Sequence, residues 1–175
     1  FPNPQQSTIM ADNDTPANTP PTDANKPRTG HLGIQKVYVK DLSLEVPNAP
    51  QVFLQAETPQ VEVNIHTTAN IVEPGALYEV VLTATVTAKL PTTTVFLVEV
   101  AQAGIFQATN VAEEDMGTLY GIVCPNVLFP YARETVSDLI NRSGFPPVLL
   151  APINFEALYQ QQLAQQSGSQ IQIAN

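Results

Sequence analysis

A change of period near residue 110 limits most strongly what this chain can fold into. From residue 34 to residue 106 apolar side chains recur at every second position, and from residue 112 onward at every third or fourth. The first period belongs to strands with one buried face, the second to helices with one buried stripe. Strands that come first and helices that follow predict an α+β domain, a four-stranded antiparallel sheet with C-terminal helices packed on one side.

The strands can be placed from their alternation. Gln35–Val46 sets Val37, Val39, Asp41, Ser43 and Glu45 on one face and Tyr38, Leu42 and Leu44 on the other. Val61–Ile65 sets Val61, Val63 and Ile65 against Glu62 and Asn64. After the turn signal Glu73-Pro74-Gly75, Leu77–Leu90 points Val80, Leu82, Ala84, Val86 and Ala88 one way and Glu79, Val81, Thr83, Thr85, Thr87 and Lys89 the other. Pro91-Thr92 turns the chain into Thr94–Phe106, where Phe96, Val98 and Val100 oppose Val95, Leu97 and Glu99.

The helical part begins with Ala112–Gly121, whose first turn is acidic at Glu113, Glu114 and Asp115. Asn126 is expected to cap the next helix, with Pro130 tolerable only near its start and Gly144 as its stop. Asn154 is expected to cap the last helix, Phe155–Gln166, with Leu158, Tyr159 and Leu163 on one stripe. Residues 1–30 hold six prolines among Thr, Asn, Asp and Gln, and are expected to form a disordered tail. The domain is then 31–166, and 167–175 is a frayed end.

Charge and cysteine content narrow the function. The net charge is −9, and removing the tail's Asp12, Asp14, Asp23, Lys26 and Arg28 leaves −8. That balance disfavours nucleic acid and anionic membrane surfaces, and suits a positively charged protein partner. Cys124 is the single cysteine, so no internal disulfide can form and a cytoplasmic setting is expected. No apolar run is long enough to span a bilayer, and no signal peptide is expected.

Chemistry is sparse. A thiol nucleophile needs a histidine beside it. His31 borders the tail and His66 ends a strand, so Cys124 reads as a packing residue. No Cys or His pair has metal-ligand spacing, and no phosphate-binding glycine motif occurs. Neither an enzyme nor a cofactor is expected. Asp41, Glu45 and Glu99 lie on the strand faces poorest in apolar residues, with Leu97 beside Glu99. They form either an acidic docking patch with an apolar centre or a solvated sheet face. The surplus of apolar strand positions serves either oligomerisation and ligand grooves or the core alone.

Five stretches together resemble a known family. They are Val37–Asp41 with Asn48-Ala49-Pro50, Leu77–Ala88, Phe96–Val100 with Gly104-Ile105-Phe106, Cys124–Glu134, and Leu150–Phe155. In this order they resemble SecB, the bacterial protein-export chaperone, across nearly all of residues 34–163. The resemblance implies a homotetramer, a dimer of dimers, that binds unfolded preproteins without ATP and delivers them to the SecA motor. It implies SecA-binding roles for Asp41, Glu45, Leu97 and Glu99. It implies oligomer-interface or substrate-groove roles for Phe96, Val98, Val100 and Gln102, and for Val61, Val63 and Ile65. Where familiar members carry a tryptophan at the strand crossover, this chain has Glu57, and its Gln165–Asn175 end lacks the acidic residues often found there. The alternative within this resemblance is a SecB-like chaperone dedicated to a single client, such as an antitoxin.

Overall fold

The computed structural model describes residues 30–169, so the expectations for the tail and for the last six residues lie outside the described residues. Four strands form one antiparallel sheet: β1 (His31–Glu45), β2 (Gln60–Glu73), β3 (Leu77–Leu90) and β4 (Thr93–Thr109). Their order is β1-β4-β3-β2. The strands β2, β3 and β4 follow one another through tight turns. The connection 46–59, with one 3-10 turn at Gln51–Leu54, carries the chain from one sheet edge to the other. β3 begins and ends where its alternation predicts. β2 runs on past Ile65 to Glu73, because ladder pairing with β3 sustains a stretch too polar to announce itself.

The expected faces of β1 need correction. Ile34 pairs with Phe106 but Lys36 with Ile105, and Val39 pairs with Gln102 but Asp41 with Ala101. Gln35 and Lys40 are therefore extra residues, each a β-bulge that resets the alternation. Val37 and Val39 join Leu42 and Leu44 on the helix-covered face, opposite Gly104, Gln102, Val100 and Val98. Tyr38 joins Asp41, Ser43 and Glu45 on the uncovered face. Without the second bulge, two valines and three polar residues would share a face, an arrangement no half-buried sheet favours.

A helical run from Glu113 to Arg142 covers one side of the sheet. It comprises α1 (Glu113–Thr118), a π turn (Leu119–Val123) and α2 (Cys124–Arg142). Asn126 therefore caps nothing, and Pro130 lies inside α2 rather than in its first turn. The helical run survives both Pro125, at the start of α2, and Pro130 for local reasons. In the π turn the Cys124 N–H reaches back to the Leu119 carbonyl, and Asn126 Nδ2 donates to the Ile122 carbonyl at 2.8 Å. Asn126 and Pro130 are both exposed, so the carbonyl that Pro130 deprives of a donor lies on the solvent side. α2 buries Leu128, Ala132, Val136 and Ile140, one stripe at four-residue spacing, against β3 and β4. Gly144, at φ +90, ends it as expected, with Gly144 N–H on the Asn141 carbonyl and Phe145 N–H on the Ile140 carbonyl.

The last helix, α3 (Phe155–Ser169), is capped by Asn154, whose Oδ1 accepts the Ala157 N–H at 3.0 Å. It docks through two aromatic rings, Phe155, which is buried and sits edge-on to Phe129 with centroids 5.8 Å apart, and Tyr159. Tyr159 lies against Gly117 and Gly121, four residues apart on the preceding run, and a Cβ on Gly121 would meet Tyr159 Cε2 at 2.8 Å. The two glycines leave a slot the width of the ring.

Candidate functional site

One helix is about 10 Å across, while four strands span about 14 Å between the axes of the outer pair. α2 lies over the central strands β3 and β4, and both edge strands keep apolar residues at its flanks. On β2 these are Val61 and Val63, 43% and 44% exposed. On β1 they are Ile34, Val39 and Leu42.

The β2 flank opens into two grooves, one beside Val61 and one beside Val63. One, of about 450 Å³, is walled by Val61, Phe53, Phe145, Val148, Leu90 and Phe96, with Glu57 also lining it. Phe53 stacks on Phe145 with centroids 5.1 Å apart, and Phe145 leans on Phe96 at 5.3 Å, so three rings form one side. The other, of about 480 Å³, runs from Val63 and Ile65 to Leu150, Ile153 and Leu158. Each is a largely apolar surface beside an edge strand, which can accept extended chain by side-chain burial and backbone pairing.

The uncovered face of the sheet is different. Glu45 stands directly opposite Leu97, Ser43 opposite Glu99, and Asp41 opposite Ala101. Asp41 and Glu45 are thus the two diagonal neighbours of Glu99, at about 7–8 Å between backbones. All three carboxylates are exposed and Leu97 is half-buried among them. Thr85 Oγ1 donates to Glu99 Oε2 at 3.0 Å and fixes that side chain. Farther along this face Lys40 Nζ lies 2.6 Å from Glu79 Oε2, and the Tyr38 hydroxyl donates to Glu79 Oε1. These two donors, Lys40 first, hold the Glu79 carboxyl below its ordinary range, and the bond to Glu79 pushes the Tyr38 hydroxyl up to about 12. On the opposite face Gln102 is buried, with Nε2 on the Tyr38 carbonyl at 2.9 Å and Oε1 without a partner among the described residues.

The residues singled out from sequence therefore fall into three places. Asp41, Glu45, Leu97 and Glu99 come together on the uncovered face. Phe96, Val61, Val63 and Ile65 line the grooves. Val98, Val100 and Gln102 do not reach a groove: they are core residues between sheet and α2, because even-numbered β4 residues beyond Phe96 lie under the helix. Sequence reasoning missed Phe53, Phe145, Val148 and Leu150, which lie outside the strands and long helices that periodicity reveals. Their signal was composition, aromatic and aliphatic residues set beside prolines where a polar loop is usual. Cys124 is fully buried, and burial pushes its thiol up to about 12, which leaves it without nucleophilic character.

Known proteins are similar to this chain in sequence and in fold. Residues 24–166 match the family model described as SecB, preprotein translocase subunit SecB. A protein-export protein SecB of Chromobacterium violaceum is 62% identical over 136 residues, which is 78% of this chain and 90% of that protein. One from Dechloromonas aromatica is 57% identical over 142 residues, 81% of this chain and 93% of that one. Among solved structures, a SecB-like chaperone of Mycobacterium tuberculosis, in complex with a peptide of the HigA1 antitoxin, shares the fold. Its TM-score is 0.59 at 19% identity, over 70% of this chain and 90% of that one. Fold, sequence and the extent of the matches lead to one statement: the chain belongs to the SecB family of protein-export chaperones.

Proposed function

We propose that this protein holds unfolded preproteins in its β2-side grooves, without ATP, and delivers them to SecA through the Asp41, Glu45, Leu97 and Glu99 patch. The observation that carries this is the division of labour between the two sides of one sheet. The grooves are apolar and edged by a strand, the form of site that takes up non-native chain and holds back its folding by mass action. The patch is three exposed carboxylates around a half-buried leucine, suited to a basic protein surface. The β1 flank of Ile34, Val39 and Leu42 is a further apolar surface, and we assign it to self-association toward a dimer of dimers in the cytoplasm. Val98, Val100 and Gln102 then act on assembly and holding through the seat of α2.

The test is a pair of titrations of the whole chain, one with an unfolded preprotein and one with SecA. Val63→Asp is expected to weaken preprotein binding and spare SecA. Glu99→Lys is expected to abolish SecA binding and spare the preprotein. Equal loss of both by either variant would refute the two-site reading. Binding to neither partner, but to one native protein, would favour a chaperone dedicated to a single client.

A further inference from the structure

The docking carboxylates have a cation beside them that does not pair with them. Lys40 precedes Asp41 directly, and the bulge puts its side chain on the uncovered face, where Asp41 also lies. An ammonium on a four-carbon stem could fold onto Asp41 and cancel a third of the patch charge. Instead it is drawn the other way. Through Ile105, Glu79 stands level with Lys36, whereas Asp41 stands level with Thr83, four residues along β3. That offset is about 13 Å along the strand. Glu79 is the better-built acceptor: its side chain is 13% exposed, and it is aimed by the Tyr38 hydroxyl. Asp41 and Glu45 meanwhile have no ion-pair partner among the described residues.

We infer that Glu79 is a positioning residue for partner docking: with Tyr38 it sequesters the bulge lysine Lys40, and so keeps the carboxylates of Asp41, Glu45 and Glu99 uncompensated for a basic partner. This rests on the docking role proposed above. The bulge is part of the device, because an extra residue supplies the strand with a lysine without moving Asp41 or Glu45 off the uncovered face. Gln102 holds the same place from below through the Tyr38 carbonyl.

A sequestered lysine and a merely structural ion pair respond differently to substitution. Glu79→Gln releases Lys40 toward Asp41 and is expected to weaken SecA binding by up to about fivefold, the ceiling for an exposed pair. The loss is expected to shrink as salt is raised. Adding Lys40→Gln to Glu79→Gln removes the released cation and is expected to restore SecA affinity, although the ion pair is still broken. Preprotein affinity is expected to stay at the wild-type level in both variants. A double variant no better than Glu79→Gln would overturn the inference, as would an unchanged Glu79→Gln measured beside a defective Glu99→Lys. If Glu99→Lys itself binds SecA normally, the docking reading fails, and this inference with it.

Discussion

Gly121→Ala sets two effects of known sign against each other. In an isolated helix alanine exceeds glycine by about 1 kcal/mol, so the run from Glu113 to Arg142 is strengthened. The new Cβ, however, would stand 2.8 Å from Tyr159 Cε2 and 3.0 Å from Cγ, closer than side-chain carbons approach. Gly117 meets the Tyr159 hydroxyl from the same side, so the ring cannot slide along the slot and must leave it. Full burial of a large side chain contributes about 1.5–3 kcal/mol, and Tyr159 is half-buried, so withdrawing it costs about half of that. The gain belongs to α1 and α2, whereas the loss falls on the docking of α3. The thermal midpoint is therefore expected to change little while α3 opens more often, by about fivefold for a loss near 1 kcal/mol. Hydrogen exchange reads this directly: amides of α3 lose protection and those of α2 keep theirs. Because Leu158 and Ile153 wall one groove, preprotein affinity shifts with it. Tyr159→Ala should loosen α3 without any crowding. Should Tyr159→Ala expose α3 while Gly121→Ala leaves its protection intact, the slot has room for a methyl group and the reasoning is wrong.

Two further outcomes are expected. Leu42→Glu places a carboxylate on the exposed apolar flank of β1 and should lower the mass found by light scattering at micromolar concentration, with preprotein binding per subunit retained; an unchanged mass would remove that flank from the assembly. The raised pKa of Cys124, from 9.0 to about 12, means that burial of the neutral thiol adds stability that is complete below pH 9 and is lost as pH rises toward 12. Its thiol should stay unreactive toward a colorimetric disulfide reagent at pH 8 until denaturant is added, and rapid labelling of the native protein would contradict the buried placement.

The sequence showed most where a single physical rule governs a stretch. β3 alternates without interruption, Gly144 must supply a left-handed turn, and Asn154 has a side chain suited to a free helix end, so all three could be placed in advance. The phase of β1 was lost at Lys40, since counting by twos assumes that no residue is extra. The patch survived that error because Asp41, Ser43 and Glu45 keep their own spacing on the far side of the bulge. Asn126 misled for the opposite reason: a capping residue inside a continuous helix binds a carbonyl of the preceding turn instead. The groove aromatics Phe53 and Phe145 were invisible because no period links them and only the tertiary fold makes them stack.

β4 carries both sites on alternate residues. Phe96 faces the groove, and Leu97 and Glu99 face the patch. Substitutions along this strand can separate the two activities, since neighbouring positions report on different faces. Insertions and deletions cannot. Adding or removing one residue between Phe96 and Glu99 would turn part of the strand over, pressing a carboxylate toward the core and an aromatic or aliphatic side chain toward water. The strand should therefore tolerate many changes of letter but none of length, a pattern that a deep scan of substitutions and single-residue indels would reveal as a sharp contrast with the connection 46–59.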